Sequence, residues 1–103
     1  MDPAQVRFSQ NTIRFRFRDG TTIEEMAESL RSGELLPDEV TPLRLVERDG
    51  CYYTLDNRRL EAFRRAGVSI PWRMATLEEI ENECWKFTTT NDGTSVQVRG
   101  ENR

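Results

Sequence analysis

The sequence lacks histidine altogether and has only two cysteines among its 103 residues. Because histidine is absent, Ser-His and Cys-His catalytic triads are excluded, and most zinc sites are excluded with them. Two cysteines do not make the disulfide framework of a small secreted domain. We interpret Cys51, at a predicted strand start, and Cys84, in a predicted helix, as small apolar side chains.

Long hydrophobic runs are absent too, since no segment approaches the roughly 20 apolar residues that span a bilayer. The first five residues, MDPAQ, lack the basic and apolar blocks of a signal peptide. We therefore expect a cytoplasmic protein with no membrane partner. The length predicts a single domain, residues 1–103, with its core in residues 22–75 and frayed ends at residues 1–7 and 100–103.

Lysine is the third scarce residue: the basic side chains are fourteen arginines and one lysine, Lys86. The formal net charge of −3 argues against a protein that holds nucleic acid by overall positive charge. Arginine, however, binds phosphate through a planar fork, whereas lysine acts as a point charge. The arginine bias therefore indicates either phosphate binding or a genome rich in GC codons, and the positions of the arginines must distinguish the two.

The segment at residues 12–18, TIRFRFR, alternates without error, which is the period of a half-buried strand. Ile13, Phe15 and Phe17 are predicted to face the core. The side chains on the open face either extend a phosphate-binding surface or keep an edge strand from aggregating. They are Arg14, Arg16 and Arg18.

Turn and capping signals predict the other elements of a small α+β domain with a mixed sheet and packed helices. Thr22 with Glu25, and Thr76 with Glu79, have the spacing of capping boxes. The predicted strands are residues 12–18, 43–46, 51–55, 70–74 and 94–99, and the predicted helices are residues 23–32, 58–66 and 77–85.

The segment LDNRRL at residues 55–60, where a strand runs directly into a helix, has the clearest chemical meaning. Unpaired N–H groups and the positive end of the helix dipole attract phosphate there, with Asp56 and the next residue as N-cap candidates. Arg58 and Arg59 in the first turn oppose that dipole unless an anion lies between them. The alternative is a solvated helix start, in which either arginine pairs with Asp56 or Glu61.

Two other groups of side chains suggest binding sites but have simpler interpretations. Aromatic rings can stack on bases, but in a lean core we interpret them as packing residues. The glutamates of the third helix do not converge on one point, so we interpret them as an exposed acidic face rather than a metal cluster. The aromatic residues are Tyr52, Tyr53, Trp72 and Trp85, and the glutamates are Glu78, Glu79, Glu81 and Glu83.

The order of elements across residues 23–74 resembles that of the ParB/sulfiredoxin-like superfamily. Both have an amphipathic helix, a proline-led strand, a hairpin, a return strand, a phosphate-binding turn and a helix that ends in Ala-Gly. The matching segments are residues 26–30, 42–46, 49–63 and 66–68. The resemblance implies that Arg58 and Arg59 match the arginine end of the family's phosphate motif.

The sequence also departs from that family. Asp56 replaces the usual glycine, and Asn57 replaces the glutamate of the members that hydrolyse nucleotides or act as kinases, so CTP or ATP turnover is in doubt. No cysteine occurs in residues 52–83, so we do not expect the reductase chemistry of sulfiredoxin.

A narrower set of motifs is similar to the ParB-like domains of bacterial polymorphic toxins and related small stand-alone proteins. The motifs are FSQ at residues 8–10, RDG at residues 18–20, LDNRRL, and WKFTT at residues 85–89. Those domains are generally predicted to be nucleases. A nuclease at this turn would use Arg58 and Arg59, with Asn57, to bind the phosphate, and Asp56 is the one carboxylate of the motif that could act as the catalytic acid or a metal ligand. The candidate supporting residues are Ser9, Gln10, Arg18 and Asp19.

The leading hypothesis for function is a toxin-type nuclease that acts on nucleic-acid phosphodiesters, with nucleic acid or nucleotide phosphate as its partner. The cofactor stays open: a divalent metal is one option for a nuclease, and an immunity protein is a further partner if the chain is a toxin domain. No metal ligands beyond the single carboxylate of Asp56 are identified in the motif. The first alternative is a non-catalytic module that binds nucleotides or nucleic acid and lacks the catalytic glutamate. The second is an interaction domain with a neutralised ancestral site.

Overall fold

Three α-helices and six β-strands make up the part of the chain that the computed structural model describes, residues 1–101. The helices are α1 (Ile23–Ser32), α2 (Asn57–Ala66) and α3 (Leu77–Glu83), with 3-10 helices at Pro3–Gln5, Pro37–Glu39 and Cys84–Lys86. The strands are β1 (Val6–Phe8), β2 (Thr12–Arg14), β3 (Leu43–Arg48), β4 (Cys51–Thr54), β5 (Trp72–Met74) and β6 (Gln97–Arg99). The predicted α+β class, with a mixed sheet and helices, is confirmed. Within these residues, no helix combines the length and the apolar character needed to cross a membrane.

The main sheet has four strands in the order β1-β4-β3-β5. The predicted hairpin forms its centre, where β3 and β4 are antiparallel and Leu45 lies opposite Thr54. Strand β1 runs parallel to β4, and β5 runs parallel to β3, which makes the sheet mixed. Strands β2 and β6 form a separate parallel ribbon between the N-terminal and C-terminal parts of the chain.

Helices α1 and α2 pack against each other through their apolar faces. The capping box of Thr22 and Glu25 forms as predicted, and it orients α1 so that Ile23, Ala27 and Leu30 are buried. Both helices share one apolar core with strands β1 and β3, and burying each large side chain there is worth about 1.5–3 kcal/mol. The core residues are Val6, Phe8, Ile13, Ile23, Leu30, Leu43, Leu45, Leu60, Ala62, Phe63 and Ile70.

The alternating segment at residues 12–18 has the predicted faces but a shorter strand. Its inward side chains are buried or half-buried, and its three arginines are exposed. Only Thr12–Arg14 pairs with β6, because the chain then bends at Asp19 and Gly20 and bonds to itself, with the Phe17 amide donating to the Thr21 carbonyl at 2.8 Å.

The last strand is also shorter than the predicted residues 94–99, because the preceding turn is fixed against β1. Gly93 has φ +70°, and its carbonyl accepts a hydrogen bond from the Phe8 amide at 2.9 Å. A Cβ at this position would lie 2.2 Å from the Phe8 carbonyl oxygen, so only glycine fits. The turn therefore sets where β6 begins.

The expectation of a frayed N-terminus is wrong for residues 1–7. Val6 is fully buried and pairs with Tyr52 of β4. Arg64 of α2 donates from Nε to the Pro3 carbonyl at 3.1 Å and from Nη2 to the Val6 carbonyl at 2.5 Å. Its guanidinium also lies 4.6 Å from the centre of the Phe8 ring. Sequence reasoning missed this arginine, which fastens the first strand to α2.

At the C-terminal end, fraying is predicted for residues 100–103, a range that includes Glu101. Glu101 is held by Arg65, with 2.6 Å between Oε2 and Nη1. Residues 102 and 103 lie outside the described residues.

The segment from β5 to the 3-10 helix at Cys84–Lys86 is more exposed than the sequence predicts. Trp72 and Trp85 are 42% and 66% exposed. Both cysteines are free thiols; Cys84 is exposed and Cys51 is half-buried. The interpretation as a packing residue is therefore wrong for Trp85, whereas the Trp72 ring lies 6.3 Å from that of Tyr52. The interpretation of Cys84 as a packed apolar side chain is also wrong. The reason is that β5 is an edge strand and α3 buries none of its residues.

We expect the substitution Arg64→Leu to lower the free energy of unfolding by about 2–4 kcal/mol, because it leaves part-buried carbonyls without their donor. Urea denaturation measures the change. Arg31→Leu is the control, since Arg31 forms only exposed ion pairs, and should cost less than about 1 kcal/mol. Equal losses in the two variants would show that Arg64 has no special structural role.

Candidate functional site

A cleft of about 790 Å³ lies at the start of α2. One wall is the strand-to-helix turn at residues 55–59, and the opposite walls come from the β2–β6 ribbon and the segment around Trp85. Cationic side chains outnumber acidic ones among the residues that line it. The charged lining residues are Arg14, Arg18, Asp56, Arg58, Arg59, Glu83, Lys86 and Arg99.

The strand-to-helix turn is held by hydrogen bonds to the backbone of β3. The buried Thr54 hydroxyl donates to the Arg44 carbonyl at 3.1 Å and accepts from the Asp56 amide at 2.9 Å. The Leu55 amide donates to the same Arg44 carbonyl at 3.0 Å. The Lys86 ammonium then donates to the Leu55 carbonyl at 2.9 Å, so the turn has partners on both sides.

Asp56 occupies the N-cap position of α2, but its side chain makes no capping hydrogen bond, so the predicted side-chain cap is wrong. One oxygen, Oδ2, accepts from the Arg44 amide at 2.7 Å and from Arg44 Nε at 3.2 Å. The other, Oδ1, contacts Arg44 Nη2 at 2.8 Å and Arg59 Nη2 at 2.9 Å. Both oxygens of the predicted catalytic carboxylate are thus engaged by arginines.

Burial opposes the negative charge on Asp56, whose side chain is 8% exposed. The hydrogen bonds from Arg44 and the positive charge of Arg59 outweigh that cost and hold the pKa of Asp56 below its ordinary value. The same contact with Asp56 raises the pKa of Arg44. The pair is therefore fully ionised at neutral pH.

Arg44 also attaches α3 to the sheet. It contacts both Oε atoms of Glu83, with 3.1 Å between Nη2 and Oε1, and it lies 3.6 Å from Glu79. Arg73 pairs with Glu79 at 2.7 Å, and Lys86 pairs with Glu83 at 2.6 Å. Hydrogen bonds from Arg73 and the Thr76 amide lower the pKa of Glu79 to about 2.

The predicted acidic face of α3 is therefore correct for Glu78 and Glu81, which are exposed, and wrong for Glu79 and Glu83. The last two lie one helical turn apart, and this spacing is the signal that could have placed them on the same face. They bind cations of the protein itself. In the part of the chain that is described, no three side chains of the types His, Cys, Asp or Glu are arranged to hold a metal ion.

Asn57, predicted to bind phosphate, uses its side chain to hold the β1–β2 connection. It is 3% exposed, and its Oδ1 accepts from the Ser9 amide at 2.8 Å. Its Nδ2 donates to the Ser9 hydroxyl at 2.9 Å and to Gln10 Oε1 at 3.2 Å. Ser9 and Gln10 are thus brought to the predicted site, and Gln10 lines the cleft, but Asn57 can offer a ligand only its backbone amide.

The two arginines of the first turn of α2 differ in their partners. Arg59 donates to the Thr41 carbonyl at 2.5 Å and pairs with Asp56, as one alternative from the sequence proposed. Arg58 donates to the Arg16 carbonyl at 2.8 Å and has no carboxylate partner within residues 1–101. Because Arg59 is paired with Asp56, only Arg58 of the two offers the cleft a charge that no carboxylate in residues 1–101 compensates.

The β2–β6 ribbon adds two further arginines to the cleft. Arg14 and Arg99 are register partners, both are exposed, and both line the cleft. Like charges directly opposite each other in a sheet repel, so this pair costs stability unless an anion lies near both. Sequence reasoning placed Arg14 on an open face but did not identify Arg99, because nothing in the sequence shows which strand pairs with β2.

The charges around the cleft divide into a paired set and an unpaired set. Three carboxylates, Asp56, Glu79 and Glu83, are matched by four cations, Arg44, Arg59, Arg73 and Lys86. The other cleft arginines have no carboxylate partner within residues 1–101. They are Arg14, Arg18, Arg58 and Arg99.

Two neighbours of this cluster complete the site. Trp85, 66% exposed, lines the same cleft and lies beside Lys86. Asp19, predicted as a supporting residue, bonds to Thr21 and lines an adjoining groove instead of the cleft. The site therefore combines an exposed aromatic ring with four arginines that no carboxylate in residues 1–101 pairs with.

We expect Arg44→Met to lower the free energy of unfolding at neutral pH by about 3–5 kcal/mol, because it leaves Asp56 buried without its main partner. The pKa of Asp56, Glu79 and Glu83 is depressed in the folded state. Their stabilisation is therefore present above the unfolded-state pKa of about 4 and is lost as the pH falls below it.

Urea denaturation between about pH 7 and pH 2 measures both effects. The difference between wild type and Arg44→Met should shrink in acid, because protonation discharges the carboxylates that have lost their partner. Arg44→Met combined with Asp56→Leu should recover part of the loss at neutral pH. A difference that stays constant across the pH range would contradict the assignment of this ion pair.

No family model, curated protein or solved structure matches this chain. The similarity of its motifs to the ParB/sulfiredoxin-like superfamily remains an expectation from the sequence, and the geometry of the cleft is what indicates function.

Proposed function

We propose that this chain is a ParB-like phosphate-binding domain that holds single-stranded nucleic acid in the cleft at the start of α2 and does not cleave it. The observation that carries this proposal is a set of four arginines that line one cleft of a protein with net charge −3 and that have no carboxylate partner among the described residues. Overall charge would repel a polyanion, so its binding depends on this local concentration of positive charge.

The arginines come from three separate elements, the β2–β6 ribbon, the bend after β2 and the first turn of α2. A surface built in this way suits successive phosphates of a strand better than the phosphate of one small molecule. Arg14 and Arg99 lie side by side and would share one phosphate through their planar forks. Arg58 and the amides at the start of α2 would hold another.

The exposed ring of Trp85 favours a single strand over a duplex. Bases stack on aromatic side chains when they are not already stacked and paired, and each such contact is worth about 1–3 kcal/mol. Trp85 lies in the cleft with the arginines, so a base and its phosphate can be bound together.

A toxin-type nuclease, with its divalent metal and its immunity protein, is the hypothesis that the geometry supports less well. It needs Asp56 to bind a metal or to accept a proton. Both Asp56 oxygens accept hydrogen bonds from arginines, and its depressed pKa makes it a weak base. In this site Asp56 fixes the position of Arg59 and of the turn.

We expect the protein to bind a fluorescent single strand of about ten nucleotides, with an affinity that falls steeply as salt rises. If three phosphates are contacted, one shared by Arg14 and Arg99 and one each at Arg18 and Arg58, a plot of log K against log salt has a slope of about −2, since each contact contributes about −0.7. Removing Arg14 and Arg99 together should weaken binding and make the slope shallower. Fluorescence anisotropy over a salt series measures both quantities.

The matched control for this pair is the double substitution Arg31→Ala with Arg48→Ala, which removes two exposed arginines outside the cleft. It should leave the slope nearly unchanged. Binding that ignores salt, or an equal loss in the control, would contradict the proposed site.

We expect no cleavage of plasmid DNA or RNA by the wild-type protein, with or without Mg²⁺ or Mn²⁺, because Asp56 is committed to Arg44 and Arg59. Gel electrophoresis after prolonged incubation is the measurement. The substitution Asp56→Asn is included, with its fold checked by circular dichroism. Cleavage by the wild type that disappears in a folded Asp56→Asn protein would establish the nuclease hypothesis instead.

A further inference from the structure

A second groove, of about 590 Å³, adjoins the cleft at the first turn of α2. The two share Phe17, Arg18, Arg58 and Arg59, so these residues form the boundary between them. A nucleotide whose phosphate binds at Arg58 would have its base within reach of the groove. The proposed strand-binding function leaves this groove without a role.

The floor of the groove is apolar. Phe17, Met26 and Leu35 line it, and each is partly buried and packed against the core. Contact with the core fixes these side chains, so the floor is a preformed surface. Apolar and aromatic walls of this kind suit a flat heterocycle, and a groove of this volume falls within the usual range for small-molecule sites.

The rim of the groove carries two carboxylates with fixed positions, Asp19 and Glu25. Asp19 Oδ1 accepts from the Thr21 amide at 3.0 Å and from the Thr21 hydroxyl at 2.6 Å. Glu25 Oε1 accepts from the Thr22 amide at 2.8 Å. Hydrogen bonds from Thr21 lower the pKa of Asp19, so this carboxylate is ionised at neutral pH.

Ionised carboxylates accept hydrogen bonds and donate none. Guanine is the base that presents two adjacent donors, N1–H and the 2-amino group, on its Watson–Crick edge. Adenine and cytosine each place one donor beside an acceptor, and thymine and uracil place their single donor between two acceptors. A carboxylate rim therefore attracts guanine and repels the acceptor atoms of the other bases.

We propose that this groove is a base-binding subsite for guanine in the strand whose phosphates occupy the cleft. The inference rests on the proposed function, since the groove adjoins the phosphate site and receives the base from it. The floor of Phe17, Met26 and Leu35 holds the ring, and Asp19 or Glu25 accepts its two donors. The arginines give affinity without regard to sequence, and the groove gives preference for one base.

The test compares oligothymidine strands of about ten nucleotides that differ at one central base. A central guanine should bind about tenfold more tightly than a central adenine, a difference of about 1.4 kcal/mol. A central hypoxanthine, which lacks only the 2-amino group, should fall between the two. Fluorescence anisotropy at one fixed salt concentration gives the three dissociation constants.

Two variants locate the preference in the groove. Asp19→Asn replaces an acceptor with a group that also donates, and Ser29→Trp fills the groove from α1. Both should reduce the guanine preference at least threefold while changing the affinity for plain oligothymidine by less than about twofold. Asp38→Asn, at an exposed position outside the groove, makes the same chemical change and should alter neither quantity.

The outcomes separate the two proposals. Salt-dependent binding of every strand without a guanine preference would overturn the subsite and leave the proposed function intact. A guanine preference that survives in both folded variants would also overturn it, because the base would then be bound elsewhere. Failure to bind any oligonucleotide would overturn both.

Discussion

The buried pairing of Arg44 with Asp56 is the interaction on which the rest of the site depends. Arg44 lies in the central strand β3, and Asp56 is the residue before α2. Arg44 also pairs with Glu83 of α3. One guanidinium therefore holds the turn between β4 and α2 and also the end of α3, which is followed directly by the 3-10 helix that contains Trp85. A pair with so little exposure is costly to desolvate, and it persists because each polar atom of the carboxylate is satisfied.

The same pairing explains how an acidic protein can offer a cationic surface. The carboxylates nearest the cleft are bound to Arg44, Arg59, Arg73 and Lys86, so they do not neutralise the arginines that face it. Other arginines have structural roles elsewhere, as Arg64 does at the first strand. The arginine-rich composition thus serves two purposes, and only the position of each side chain shows which one applies.

The sequence predicts what depends on neighbouring residues and misses what depends on distant ones. The capping boxes at Thr22 and Thr76 and the β3–β4 hairpin form as expected, because their signals span a few residues. The partners of Asp56 and Asn57 could not be predicted, because Arg44 and Ser9 lie 12 and 48 residues away along the chain. No periodicity encodes such contacts, so the cleft could be placed at residues 55–60 but its other walls could not.

The parallel ribbon of β2 and β6 joins the first part of the chain to the last, since Thr12 lies opposite Gln97. More than eighty residues separate these strands along the chain, and a loop of that length closes late because of its entropic cost. Arg14 and Arg99 come together only at that stage. The spacing of this arginine pair therefore reports whether the most non-local strand contact of the fold has formed.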